Sequence, residues 1–198
     1  RSSDLKGTTN TYVAEEFLND NLIAGEYVLG HILPADGRAE LDRSKNRKEV
    51  VFKNGVVQDT SYQEILKEMR EGDIILKGAN VINYKKGQAG VLIGHPTGGT
   101  TGNIVPAIKE NNLRLIIPVG LEKESSQDIE LLSGLSKIPQ EQVGKQAPYV
   151  WSIEGELFTE IEAIKQFANI EAIHMASGGV GGAEGAVTLL LRGNKNEV

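Results

Sequence analysis

The groups best placed to do chemistry in this chain are backbone amides and hydroxyls rather than acids, thiols or metal ligands. From Gly94 to Asn103 the sequence reads Gly-His-Pro-Thr-Gly-Gly-Thr-Thr-Gly-Asn. Glycine lets backbone N–H groups approach a ligand closely. The helical pattern that follows adds unpaired N–H groups and the positive end of a dipole. Together with the threonine hydroxyls, Gly94, Thr97, Gly98, Gly99, Thr100 and Thr101 suit a phosphate or carboxylate. The loop is neither a Walker A motif, since Gly-Lys-Ser/Thr is missing, nor GxGxxG. A tight structural turn is the competing reading. Two more small-residue turns add to the ligand-binding set: Gly7, Thr8, Thr9 and Asn10 before a helix, and Lys77, Gly78 and Asn80 after a short strand. Lys77 can pair with an anion or simply meet solvent.

His95 and Glu184 are the candidate catalytic residues. His95 lies inside the first loop and can act as acid, base or hydrogen-bond donor near neutral pH; a surface histidine is the plainer reading. Glu184 is the one carboxylate in Ser177–Gly185, where it can be a positioned base or nucleophile, or a solvated hairpin tip. His31 and His174 fall in strand patterns without a carboxylate at ligand spacing, so no metal is expected. No cofactor is expected either. GxSxG and HExxH are absent.

The elements that must position these residues follow from periodicity. Gly90 to Gly120 reads as a strand (Val91–Ile93), the loop, a helix (Ile104–Glu110) and a second strand (Leu113–Val119), the unit that builds parallel sheets. Open α/β sheets bind ligands just past the carboxyl ends of strands. Pro106 is expected in the first helical turn, where its missing N–H costs little. Val13, Phe17 and Leu18 predict an apolar helical stripe that Thr8, Thr9 or Asn10 caps. Residues 26–33 read as a strand and Asn54-Gly55 as a hairpin turn. Ser61–Arg70 reads as a helix stopped by Gly72, and Asp73–Leu76 as a strand. The basic segment Arg38–Lys48 is either a flap over an anionic ligand or a mobile loop. A moderate helix follows Val119, and Pro139–Pro148 reads as a polar connection. Beyond it the pattern is strand (149–153), helix, strand (170–176), glycine turn and strand (186–191).

The bulk composition narrows the function classes. At 198 residues the chain suits one domain with at most a small appendage. The expected division is an α/β ligand-binding domain over 1–148 and a β-α-β-β segment over 149–198, packed on that domain or continuing it. A net charge of -6 argues against a nucleic-acid surface. No apolar run reaches the length of a membrane span. The absence of cysteine fits a reducing compartment, so a cytoplasmic location is expected. The chain opens on Arg1 without an initiator Met, which leaves room for a removed leading segment.

With these turns located, the layout resembles the superfamily of ribose-5-phosphate isomerase, glucosamine-6-phosphate deaminase and CoA transferases, with the DeoR-type sugar-phosphate sensors. Gly7-Thr8-Thr9 looks like that group's Gly-Thr-Thr loop at a helix start. Ile74 to Asn80 is similar to the strand and Gly-Ala-Asp turn of the initiation factor 2B-like members, and Gly90 to Thr101 to their strand and Gly-Thr loop. Lys-Gly-Ala-Asn, Pro-Thr-Gly-Gly-Thr and Pro-Val-Gly-Leu-Glu-Lys also look like an uncharacterised prokaryotic branch. The resemblance covers the first two thirds of the chain and implies an open, mostly parallel Rossmann-like sheet with flanking helices; the C-terminal pattern is similar to a small ferredoxin-like lobe. The family's Asp is Asn80 here, so a catalytic carboxylate is missing, and its acid–base set has no match. What the resemblance implies is binding of a small anion, sugar phosphate or CoA-like, by an isomerase or transferase relative or by a non-catalytic sensor. Whether it is an enzyme stays open, and a homo-oligomer is compatible with the sequence.

Overall fold

The fold is that of a computed structural model of the chain, which describes residues 6–22, 27–28, 48–137, 148–194 and 196, and the backbone of 2–4. His31, most of the strand expected over 26–33, residues 38–47 of the basic segment and the connection 139–147 lie outside the described residues.

The architecture is mixed α/β. Its largest sheet has the order β3-β2-β1-β4-β7-β9. β1 (Ser2–Asp4), β4 (Ile74–Leu76), β7 (Arg114–Pro118) and β9 (Glu156–Phe158) run parallel. β2 (Val50–Lys53) and β3 (Val56–Gln58) extend one side antiparallel. They are joined by Asn54-Gly55, both at positive φ, as the hairpin signal predicts. A central parallel strand is covered on both faces and should be apolar throughout. β7 obeys this with Leu115 and Ile117 buried and Ile116 half-buried. Ile75, Leu115, Ile117, Val119 and Ile104 belong to the main core.

The helices bury one face each. α2 (Tyr62–Glu68) begins with a capping box in which Ser61 and Glu64 exchange bonds, and it inserts Tyr62, Ile65 and Leu66. α1 (Thr8–Leu18) differs from expectation: its buried residues are Asn10, Thr11 and Ala14, while Phe17 is exposed. Phe17 instead meets the Phe52 ring at 4.9 Å. Periodicity marked an apolar stripe, but the polar face turns inward because Asn10 donates to Leu76 O at the end of β4 (3.3 Å).

Two expectations about the loop and its strands are corrected. β6 (Gln88–Ile93) does not join the parallel sheet. It lies between β5 (Val81–Asn83) and β8 (Tyr149–Ile153), antiparallel to both. The short β5–β6 connection favours antiparallel pairing, since a parallel crossover needs a longer one. The strand-loop-helix-strand stretch therefore links two sheets. In addition, α3 spans Gly99–Asn111, so half of the glycine–threonine run is its first turn. Pro106 is consequently inside the helix, where its ring removes the bond to the Gly102 carbonyl.

After β7, a 3-10 turn (Leu121–Lys123) leads to α4 (Ile129–Ser136). Segment 149–198 supplies strands to all three sheets: β8, β9 and the separate hairpin of β10 (Glu171–Ser177) and β11 (Val187–Arg192). A ferredoxin-like lobe would gather them into one sheet. α5 (Glu160–Phe167), capped by Thr159 and Glu162, connects β9 to this hairpin.

Candidate functional site

β1, β4 and β7 are parallel and aligned, with Asp4 opposite Leu76 and Leu76 opposite Ile116. Their carboxyl ends therefore share a rim, and the segments leaving them are Lys6–Thr9, Lys77–Asn80 and the 3-10 turn carrying Lys123. The loop after β6 reaches the same place from the smaller sheet. Between them is a cavity of about 640 Å³.

Of the ligand-binding residues expected from sequence, Gly7, Thr8, Thr9, Lys77, Gly78, Asn80, Gly94, Gly98, Gly99, Thr100 and Thr101 line this cavity, as does His95. Three do not. Asn10 is buried inside the α1 contact with Leu76. Thr97 places its amide 3.3 Å and its hydroxyl 3.0 Å from His95 Nδ1. Glu184 sits fully exposed in the β10–β11 turn, away from the lining.

Both helix starts at the cavity lack side-chain caps: Gly7 precedes α1 and Gly98 precedes α3, neither with a cap hydrogen bond. The first intrahelical donors are Thr11 N, bonded to Gly7 O, and Gly102 N, bonded to Gly98 O. Helix geometry thus leaves the amides of Thr8 and Thr9, and of Gly99, Thr100 and Thr101, without intrahelical acceptors. Gly98 is held at φ 85°, and a Cβ there would come within 2.5 Å of the Trp151 ring. Only glycine allows the loop to close against that indole.

Charge is distributed unevenly. In a protein of net charge -6, the described lining holds Lys6, Lys77 and Lys123 and no carboxylate. Lys6 lies 3.9 Å from Glu49, and Lys123 lies 3.8 Å from Glu122. Lys77 makes no ion pair among the described residues. Burial, assisted by the nearby Lys123 charge, pulls its ammonium from the ordinary 10.5 down to about 8. A lysine that pays desolvation without a partner is suited to an incoming anion.

The remaining polar groups have defined roles. Asn80 Oδ1 accepts from Leu92 N (2.9 Å), tying the β4–β5 turn to β6. Because Thr97 N–H donates to His95 Nδ1, the neutral imidazole carries its proton on Nε2 and offers a donor. Glu184 accepts from Gly182 N at 3.0 Å, and amides of its own turn hold its carboxyl below the usual range, which weakens it as a base. Lys6 and Lys123 were missed in the sequence reading. Their signal is positional, since each flanks a glycine turn at the end of a parallel strand.

Among the described residues, no group of three or more His, Cys, Asp or Glu could hold a metal ion, and no helix is long and apolar enough to cross a membrane. Compared with protein-family models, with curated proteins and with solved structures, the chain matches none.

Proposed function

We propose that this protein binds a small phosphorylated or carboxylated molecule, sugar phosphate or CoA-like, at the rim of its parallel strands. The observation that carries this reading is Lys77: an ammonium drawn into the cavity that makes no ion pair among the described residues, beside two uncapped helix starts. A bound anion would restore the charge balance and take hydrogen bonds from the free amides. The parallel strands β1, β4 and β7, with a cavity beyond their carboxyl ends, support the Rossmann-like reading and a relationship to the ribose-5-phosphate isomerase and CoA transferase superfamily.

The second reading, a non-catalytic sugar-phosphate sensor, is favoured by the absence of any Asp or Glu in the described lining. An isomerase or deaminase needs a base, and His95 presents its donor side. Thermal unfolding with inorganic phosphate, sugar phosphates, nucleotides and CoA tests binding. At a hundredfold excess over Kd a true ligand stabilises by about 2.7 kcal/mol, raising Tm by roughly 5–10 °C for a chain of this size. Absence of a shift with every anion at millimolar concentration overturns the proposal. With a ligand in hand, His95→Ala separates the two readings: lost turnover with retained affinity identifies an enzyme, and no turnover in the wild type identifies a sensor.

A further inference from the structure

A second constellation lies outside the cavity lining, on the β10–β11 hairpin. His174 Nε2 is 2.8 Å from Ser177 Oγ, and His174 Nδ1 is 2.8 Å from Glu124 Oε2. An ionised carboxylate only accepts, so Nδ1 must carry a proton toward Glu124. In the neutral imidazole Nε2 is then the acceptor, and the Ser177 hydroxyl donates to it. This is the tautomer and the order of bonds that activate a serine.

The backbone builds this arrangement through a bulge. On a regular strand, residues three apart point to opposite faces. Between His174, paired with Leu189, and Ala176, paired with Thr188, the register shifts by one, leaving Met175 without a cross-strand partner. The extra residue brings position 177 onto the face of position 174. Ser177 and His174 thereby share a face with Val187 and Leu189, their cross-strand partners, which pack against the core edge. Glu124 arrives from the end of the 3-10 turn after β7. Ser177 is exposed, and the imidazole is 20% accessible. Of the amides that follow, Gly178 donates to Ala186 O. Gly179 N–H makes no hydrogen bond among the described residues and is the nearest unbonded donor after the nucleophile.

From this geometry we infer that Ser177 is an activated nucleophile with His174 as its base and Glu124 as the positioning residue. The site would take carboxylic esters with a small apolar acyl group, for which Val187 and Leu189 supply the adjoining surface. Ser177 Oγ bonds to the acyl carbon while its proton passes to His174 Nε2. The ester C–O bond breaks, and the alcohol leaves with that proton. Water then attacks the acyl-serine, giving one proton through Nε2 back to Oγ, and the carboxylic acid departs.

The test uses the full chain, a fluorophosphonate probe and p-nitrophenyl acetate. The wild type should gain one probe adduct, placed on Ser177 by peptide mass, and hydrolyse the ester. With no cysteine in the chain, thiol labelling cannot intrude. Ser177→Ala should abolish the adduct, and His174→Gln should slow labelling and kcat/KM by about 10²–10⁴-fold. Glu124→Gln should be impaired through the wrong tautomer, whereas Glu124→Asp should recover part of the rate, which a merely structural tie would not do. Ser61→Ala, in the cap of α2, should label normally, which marks the reaction as that of Ser177 and not of serines in general. The inference is overturned if folded wild-type protein gains no adduct on Ser177 at millimolar probe. It is equally overturned if folded His174→Gln labels at the wild-type rate.

Discussion

Replacing Lys77 by Met removes an ammonium while keeping most of the side-chain volume. If the cavity desolvates that ammonium, the protein should become more stable. The fall from 10.5 to about 8 corresponds to a penalty of about 3 kcal/mol at neutral pH, at about 1.4 kcal/mol per pH unit. That is the ceiling for the gain, equivalent to roughly 6–12 °C in Tm. The pH dependence gives the sign. Between about 8 and 10.5 the unfolded chain holds the Lys77 proton and the folded chain has released it, so wild-type stability should rise with pH across this window. The destabilisation is fully present below about 8 and gone above 10.5. Lys77→Met lacks the linkage, so its advantage at pH 7 should shrink toward zero by pH 10.5. Urea unfolding of both proteins at pH 7, 9 and 10.5 reads this directly, because other titrations cancel in the difference. An anion that stabilises the wild type at pH 7 should stabilise Lys77→Met far less. A variant no more stable than wild type at pH 7, or a gap that ignores pH, would refute the reasoning by showing that the ammonium reaches water.

Three further outcomes follow from the same structure. Lys123→Met removes the neighbouring positive charge, so the alkaline rise in wild-type-like stability should begin above about 8, as followed by unfolding at a series of pH values. Gly98→Ala forces a side chain into φ 85° and against Trp151; it should cost roughly 2–4 kcal/mol and shift the emission of the single tryptophan. Thr159→Ala removes the hydroxyl that accepts from Ile161 N and donates to Glu162 Oε2 at 2.6 Å. It should lower the urea midpoint by about 1 kcal/mol of stability without changing the m-value.

Local chemistry was legible in the residues alone. Asn54-Gly55 specified a hairpin because both positions demand positive φ. Gly7-Thr8-Thr9, Lys77–Asn80 and Gly94–Thr101 could be recognised as turns at strand ends or helix starts because glycine and threonine there have short-range consequences. What short-range patterns cannot carry is the pairing of distant segments. The antiparallel placement of β6 depends on β8, some sixty residues later in the chain. The charge state of Lys77 depends on burial and on Lys123, and the meeting of Glu124 with His174 spans fifty residues. The bulge at Met175, which brings Ser177 beside His174, arises only when β11 is aligned against β10. Residue types thus determined which groups were available for chemistry. Tertiary packing decided which of them share a dielectric environment and lie within hydrogen-bond reach, because both depend on distances that only the folded chain sets.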